Sequence, residues 1–99
     1  MLRDFFLGFI KIHILYHAGQ APVYGLELIQ ELARHDYDLS PGTLYPTLHS
    51  LEQDGYLVSE RRVVGGKWRR YYTLTETGQA ALDEARRRIH ELVEEVLDV

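Results

Sequence analysis

The chain has no cysteine, which excludes disulfides, thiolate nucleophiles and thiol redox sensing and permits a reducing cytoplasm. Long apolar runs are missing as well. The densest stretch, residues 2–17, is broken by Lys11 and His13 and falls short of the ~20 residues that a membrane span requires. A secretory signal is also a poor fit. Ala18-Gly19-Gln20-Ala21 imitates a cleavage site, but the leading region carries Asp4 and little positive charge. No nucleophile–base spacing, phosphate-cradling loop or paired carboxylates stand out, so the sequence reads as a non-enzyme with no cofactor.

Acidic and basic charge are both present but unevenly spread. The net charge of −4 argues superficially against a polyanionic partner. Residues 61–70, however, hold Arg61, Arg62, Lys67, Arg69 and Arg70 with no acid, a local +5. Residues 76–99 hold seven acids against Arg86, Arg87 and Arg88, a local −4. A chain of 99 residues makes one domain with a single core. At this length only about 60–70% of the unfolded surface is buried, so a second copy would help.

The organising stretch is Leu39 to Leu57. Ser40 suits a helix N-cap, Pro41 suits the first helical position, and Gly55 suits a left-handed stop. Leu44, Leu48 and Leu51 form one stripe at helical spacing. The opposite face carries Gly42, Pro46, His49 and Gln53, flanked by Thr43, Tyr45 and Ser50. That face lacks the Glu and Lys of a solvated surface. It suits either the major groove, entered by the N-terminal residues of a recognition helix, or a packed partner surface.

Before it, residues 2–17 predict helix 1, apolar on most sides and therefore covered on more than one. His13 and His17, four apart, share a face. A packed pair is the default reading, because the nearby sequence offers no acidic third ligand for a metal. Helix 2 is expected over roughly Tyr24 to Arg34, with Leu26, Ile29, Leu32 and Ala33 as its apolar stripe. A polar turn, His35 to Asp38, then makes a helix-turn-helix.

After Gly55, two runs rich in β-branched and aromatic residues flank Gly65-Gly66 and predict a hairpin with its cations at the tip. Beside a helix-turn-helix this is a wing able to follow phosphates or enter the minor groove, with the solvated, edge-protecting hairpin as the plainer reading. Trp68 is expected to support the hairpin from its core face. Thr75 caps the last helix. Along it Leu82, Ala85, Ile89, Leu92, Val96 and Val99 step as a coiled-coil seam, while Asp83–Arg87 and Glu84–Arg88 are expected as i,i+4 pairs. With Phe5 and Phe9 of helix 1, this seam predicts a symmetric homodimer. The expected fold is mainly α with a small β-hairpin wing. Residues 1–75 form a winged helix-turn-helix whose helix 1 also dimerises, and residues 76–99 a C-terminal dimerisation helix.

This order of elements resembles the PadR family of bacterial winged-helix transcriptional regulators. The resemblance rests on Tyr24-Gly25, on Ser40-Pro41-Gly42-Thr43-Leu44-Tyr45-Pro46 with Leu48 and Leu51-Glu52, on Gly55-Tyr56-Leu57, and on Arg69-Arg70-Tyr71-Tyr72-Thr73-Leu74-Thr75 with Gly78. The single short C-terminal helix is similar to the small branch of that family. The resemblance implies a cytoplasmic, nucleoid-associated prokaryotic repressor that binds a pseudo-palindromic operator on double-stranded DNA as a homodimer and is released by a small-molecule effector. It implies groove contacts from Thr43, Tyr45, Pro46, His49 and Ser50, and wing contacts from Lys67, Arg69 and Arg70, which the residue reading extends to Arg61 and Arg62. The last helix has no tryptophan on which planar ligands could stack, so no inducer is named. Two other readings are a winged-helix protein-interaction module, and a metal-responsive regulator using His13 and His17 with His35 or His90.

Overall fold

The computed structural model describes residues 1–97. Helices α1 (Leu2–Gln20), α2 (Gly25–Ala33) and α3 (Pro41–Gln53) lead into strands β1 (Leu57–Val64) and β2 (Lys67–Leu74), and α4 (Glu76–Val96) follows. Val99, the last residue of the expected seam, lies outside the described residues.

The core forms where the apolar faces of all six elements meet. Ile14, Leu28, Leu32, Leu44 and Leu48 are fully buried, each worth roughly 1.5–3 kcal/mol of apolar transfer. Leu51, Leu57, Tyr72 and Leu82 close the same cluster. Burial and the nearby Glu52 push the Tyr72 phenol above its ordinary value, against the opposing pull of Arg70. The expected stripe of α2 is out of phase. Gly25, Leu28 and Leu32 face inward, whereas Leu26 and Ala33 are exposed. A nine-residue helix has only one side against the core, and the 25/28/32 spacing takes it.

Helix ends follow local chemistry. At the end of α3 the Gly55 N–H donates to the Glu52 carbonyl and the Tyr56 N–H to the Leu51 carbonyl, both at 3.0 Å, with Gly55 at φ +82°. This paired closure needs a left-handed residue, which glycine adopts without steric cost. Helix α2 ends by the same pattern with Asp36 in that position, at φ +66°. The Tyr37 N–H donates to the Leu32 carbonyl and the Asp36 N–H to that of Ala33. At α3's start Ser40 occupies the N-cap position, but its side chain makes no cap bond; its Oγ turns to Thr43 Oγ1 at 3.4 Å.

The hairpin is antiparallel and in register from Leu57↔Leu74 to Val64↔Lys67, leaving Gly65 and Gly66 as a two-residue turn with φ of +59° and +77°. Positive φ at both positions defines the turn that matches strand twist. Val23 bridges to Tyr72 and stands in for a third strand. Thr75 Oγ1 accepts from the Gly78 N–H at 2.9 Å and donates to the Gly55 carbonyl at 2.5 Å, tying the start of α4 to the end of α3. A Cβ on Gly78 would stand 2.1 Å from the Tyr56 carbonyl oxygen, so the chain can pass there only with a glycine.

Candidate DNA-binding surface

Two elements meet at the base of this surface, α3 and the hairpin. Glu52 of α3 accepts from the Ser59 N–H at 3.1 Å and from Ser59 Oγ at 2.6 Å. Arg70 of β2 in turn donates to Ser59 Oγ at 3.1 Å. This chain of bonds holds the wing against the C-terminal half of α3.

On α3, Leu44, Thr47, Leu48 and Leu51 are buried. Tyr45, Pro46 and His49 are exposed, while Thr43 and Ser50 are half-buried at the edges of that face. Thr47 Oγ1 is turned inward and donates to the Thr43 carbonyl at 2.8 Å. Pro46 has no N–H to offer the Gly42 carbonyl, so the helix's outer side is left with bare backbone at that turn. Tyr45 is half exposed, and its phenol lies over the start of α2; a Cβ on Gly25 would come within 2.4 Å of its hydroxyl. Helix α2 thereby sets the direction of an aromatic ring on the outer face of α3, a contact that sequence spacing does not reveal.

In the wing, pairing places Arg61 opposite Arg70 and Arg62 opposite Arg69. Like charges facing across strands are unfavourable by roughly 0.2–1 kcal/mol per pair. Aromatic rings offset this. The Arg61 guanidinium lies 4.7 Å over Trp68, Arg62 4.9 Å over Tyr71, and Arg69 4.4 Å over Tyr24. Each such contact is worth about 0.5–1 kcal/mol at an exposed site. Trp68 is thus not core support: it is 65% exposed, because the hairpin runs past the body of the domain before reaching position 68. Its actual role is a platform for Arg61.

The basic segment is also less uniformly free than its sequence suggests. Arg62 is paired with Glu60, one residue outside the acid-free window. Arg70 is engaged by Ser59 beside Glu52. Lys67 at the tip and Arg61 on Trp68 are exposed and carry no acidic partner among the described residues. Arg69 is half-buried on Tyr24.

Elsewhere, the arginines of α4 are paired as a solvated face, with one change of partner. Asp83 bonds Arg86 at 3.3 Å in place of Arg87, and Glu84 takes both Arg87 and Arg88. The i,i+3 reach from Asp83 competes successfully with the expected i,i+4 reach. Of the expected dimer seam, Leu82 is 4% exposed and belongs to the chain's own core, so it has no surface to offer a partner. Ala85 is half-buried, whereas Ile89, Leu92 and Val96 are 38%, 52% and 63% exposed. Phe5 is exposed at the start of α1, with Phe9 packed against it at 4.5 Å.

A separate cavity of about 670 Å³ lies between α1, the turn after α2, and α4. His13, His17 and His35 line it, and their candidate ligand atoms lie within 4.8 Å of one another. Burial, then His35 and His17, hold the His13 pKa below the ordinary imidazole value, against the opposing effect of Glu31. The third member comes from the turn, 18 positions beyond His17, and His90 is not among the three.

Comparison with known proteins shows the family of the chain. The model of the "Transcriptional regulator PadR-like family" matches residues 14–84, from α1 into α4. The chain belongs to the PadR-like family of transcriptional regulators. It is 56% identical over 96 residues to transcriptional regulator Rv3488 of Mycobacterium tuberculosis, covering 97% of this chain and 90% of that one. A PadR-family regulator from Eggerthella lenta shares its structure with a TM-score of 0.85 at 33% identity, over 99% of this chain and 87% of that chain. A PadR-like transcription factor from Bacteroides fragilis does so with a TM-score of 0.84 at 31% identity, over 97% and 94%. The chain is therefore a winged-helix DNA-binding regulator of transcription and not an enzyme. Among its described residues no helix is long and apolar enough to cross a membrane.

Proposed function

We propose that this PadR-like regulator is a homodimeric repressor that reads a pseudo-palindromic operator on double-stranded DNA. The observation that carries the reading is the joint between Glu52, Ser59 and Arg70, which sets a cationic wing beside the exposed face of α3. Lys67 and Arg61 supply sequence-independent attraction to phosphates, and Arg69 and Arg70 flank them. His49, Ser50 and Thr43 meet base edges, while Tyr45 and Pro46 make apolar or phosphate contact. Pro41 has no N–H and the Thr43 N–H donates to the Ser40 carbonyl at 3.1 Å, so with no side-chain cap from Ser40 the Gly42 N–H is the first-turn amide left for an incoming phosphate.

The second copy supports both the core and the spacing. Ile89, Leu92 and Val96 of α4 and Phe5 of α1 are exposed apolar groups on helices that pack together in one chain. Pairing of these faces about a two-fold axis buries them and presents two α3 helices to one side of the duplex. A small-molecule effector and a cytoplasmic, nucleoid-associated location complete the reading. Selection of bound duplexes from random DNA, followed by sequencing, tests it. The expected outcome is an inverted repeat whose half-site centres are about one helical turn, ~34 Å, apart. Recovery of no enriched sequence, or of single half-sites only, would refute it.

A further inference from the structure

We propose that His13, His17 and His35 form a binding site for a divalent transition cation of the zinc class, bridging α1 to the turn between α2 and α3. The argument rests on placement. His13 and His17 lie one turn apart on α1, their rings stacked with centroids 6.5 Å apart. The last turn of α2 tightens, the His35 N–H donating to the Leu32 carbonyl at 3.0 Å, and from there the His35 ring stacks on His13 with centroids 4.6 Å apart. Three imidazoles from two elements thus converge on the wall of a cavity, with candidate ligand atoms within 4.8 Å.

The size of the cluster suits the ion. Zn–N bonds of about 2.0–2.1 Å in tetrahedral geometry place ligand nitrogens about 3.3 Å apart. All three groups already line one space, and their separations of up to 4.8 Å need shorten by no more than about 1.5 Å. Neutral imidazole with no thiolate is the ligand type that suits zinc, cobalt, nickel and copper over magnesium or calcium. Glu31 lies beside the cluster, its Oε1 3.7 Å from His17 Nε2 and its Oε2 3.2 Å from Arg34 Nη1. At 3.7 Å the pair is longer than a hydrogen bond, and a shift of a few tenths of an ångström would let the carboxylate accept the ring's second N–H and orient it as a ligand. Arg86 also lines the cavity, but its guanidinium is turned to Asp83 at 3.3 Å. Three protein ligands leave a fourth position open toward the cavity, for water or a further ligand.

The site is independent of the DNA surface, and its test needs no DNA. Untagged full-length protein is titrated with Zn2+ by calorimetry and with Co2+ by visible absorption. One ion per chain and the intense visible bands of four-coordinate Co2+ are expected. Saturation at 100 times Kd should raise Tm by roughly 10–20 °C for a domain of this length. His35→Ala removes an exposed side chain from the turn, so the variant keeps its apo Tm while Zn2+ binding weakens by about 100-fold or more. His13→Ala should do the same to binding, and His90→Ala on α4 should leave it unchanged. Glu31→Gln should weaken binding about 10- to 100-fold while the Co2+ spectrum keeps its form. Absence of Zn2+ binding, or wild-type affinity in His35→Ala, would overturn the proposal.

Discussion

Lys67 gives the sharpest test of the wing. It is exposed at the hairpin tip, opposite Val64 and next to the Gly65-Gly66 turn, with no acid against it among the described residues. Each phosphate contact contributes about −0.9 to the slope of log affinity against log salt. A dimer carries two copies of Lys67, so Lys67→Ala should flatten the slope by about 1.8. Between 50 and 200 mM salt, wild type should then lose about 12-fold more affinity than the variant. The loss should be the same on operator and scrambled duplexes, because phosphate contacts carry no sequence information. Fluorescence anisotropy on labelled duplexes at several salt concentrations measures both quantities. Arg62→Ala is the internal comparison. Glu60 already pairs with Arg62, so its removal should change the slope by less than half as much, and Glu60→Gln should steepen it. An unaltered slope in Lys67→Ala, or a larger effect from Arg62→Ala, would refute the assignment of free and neutralised cations.

Three further outcomes are expected. Gly78→Ala drives a Cβ against the Tyr56 backbone oxygen, which cannot yield as a flexible side chain would. Denaturation should show a loss of about 2 kcal/mol, or a Tm lower by roughly 10 °C. Leu92→Glu puts charge on the exposed face of α4, and light scattering should find a monomer whose helical circular dichroism is retained. Trp68→Ala should cost less than about 1 kcal/mol of stability, since the ring lies outside the core, yet weaken DNA binding on all sequences by freeing Arg61 from its platform.

Local signals in the sequence were reliable where chemistry is local. The start of α3 at Pro41, its stop at Gly55 and the Gly65-Gly66 turn each depend on a few adjacent residues, and each formed as expected. Misreadings arose where the answer lay across the fold. Period-two counting assigns Trp68 to the same face as Tyr72, but it does not say how far the hairpin outruns the body that covers that face. The phase of α2 is ambiguous in the sequence because Leu26 and Leu28 are both apolar, and only the packing against α1 and α3 chooses Leu28. Leu82 satisfied a seam pattern and a core pattern equally, and the core claimed it. Counting charge between 61 and 70 missed Glu60 just outside the window and Glu52 a strand and a turn away. The third histidine is beyond the reach of a spacing rule, because His35 lies on another element, where the tightened last turn of α2 bonds its N–H to the Leu32 carbonyl and only the packing of that turn on α1 brings the three rings together.

The Thr75 junction has a mechanical consequence. One hydroxyl holds the tail of α3 and the head of α4 together, and the glycine beside it leaves no slack for the two to slide. Long and short arms of a lever are thereby welded at their corner. In the proposed homodimer, a few degrees of scissoring between the two α4 helices would carry over to the two α3 helices, and the gauge between them would be set far from the duplex.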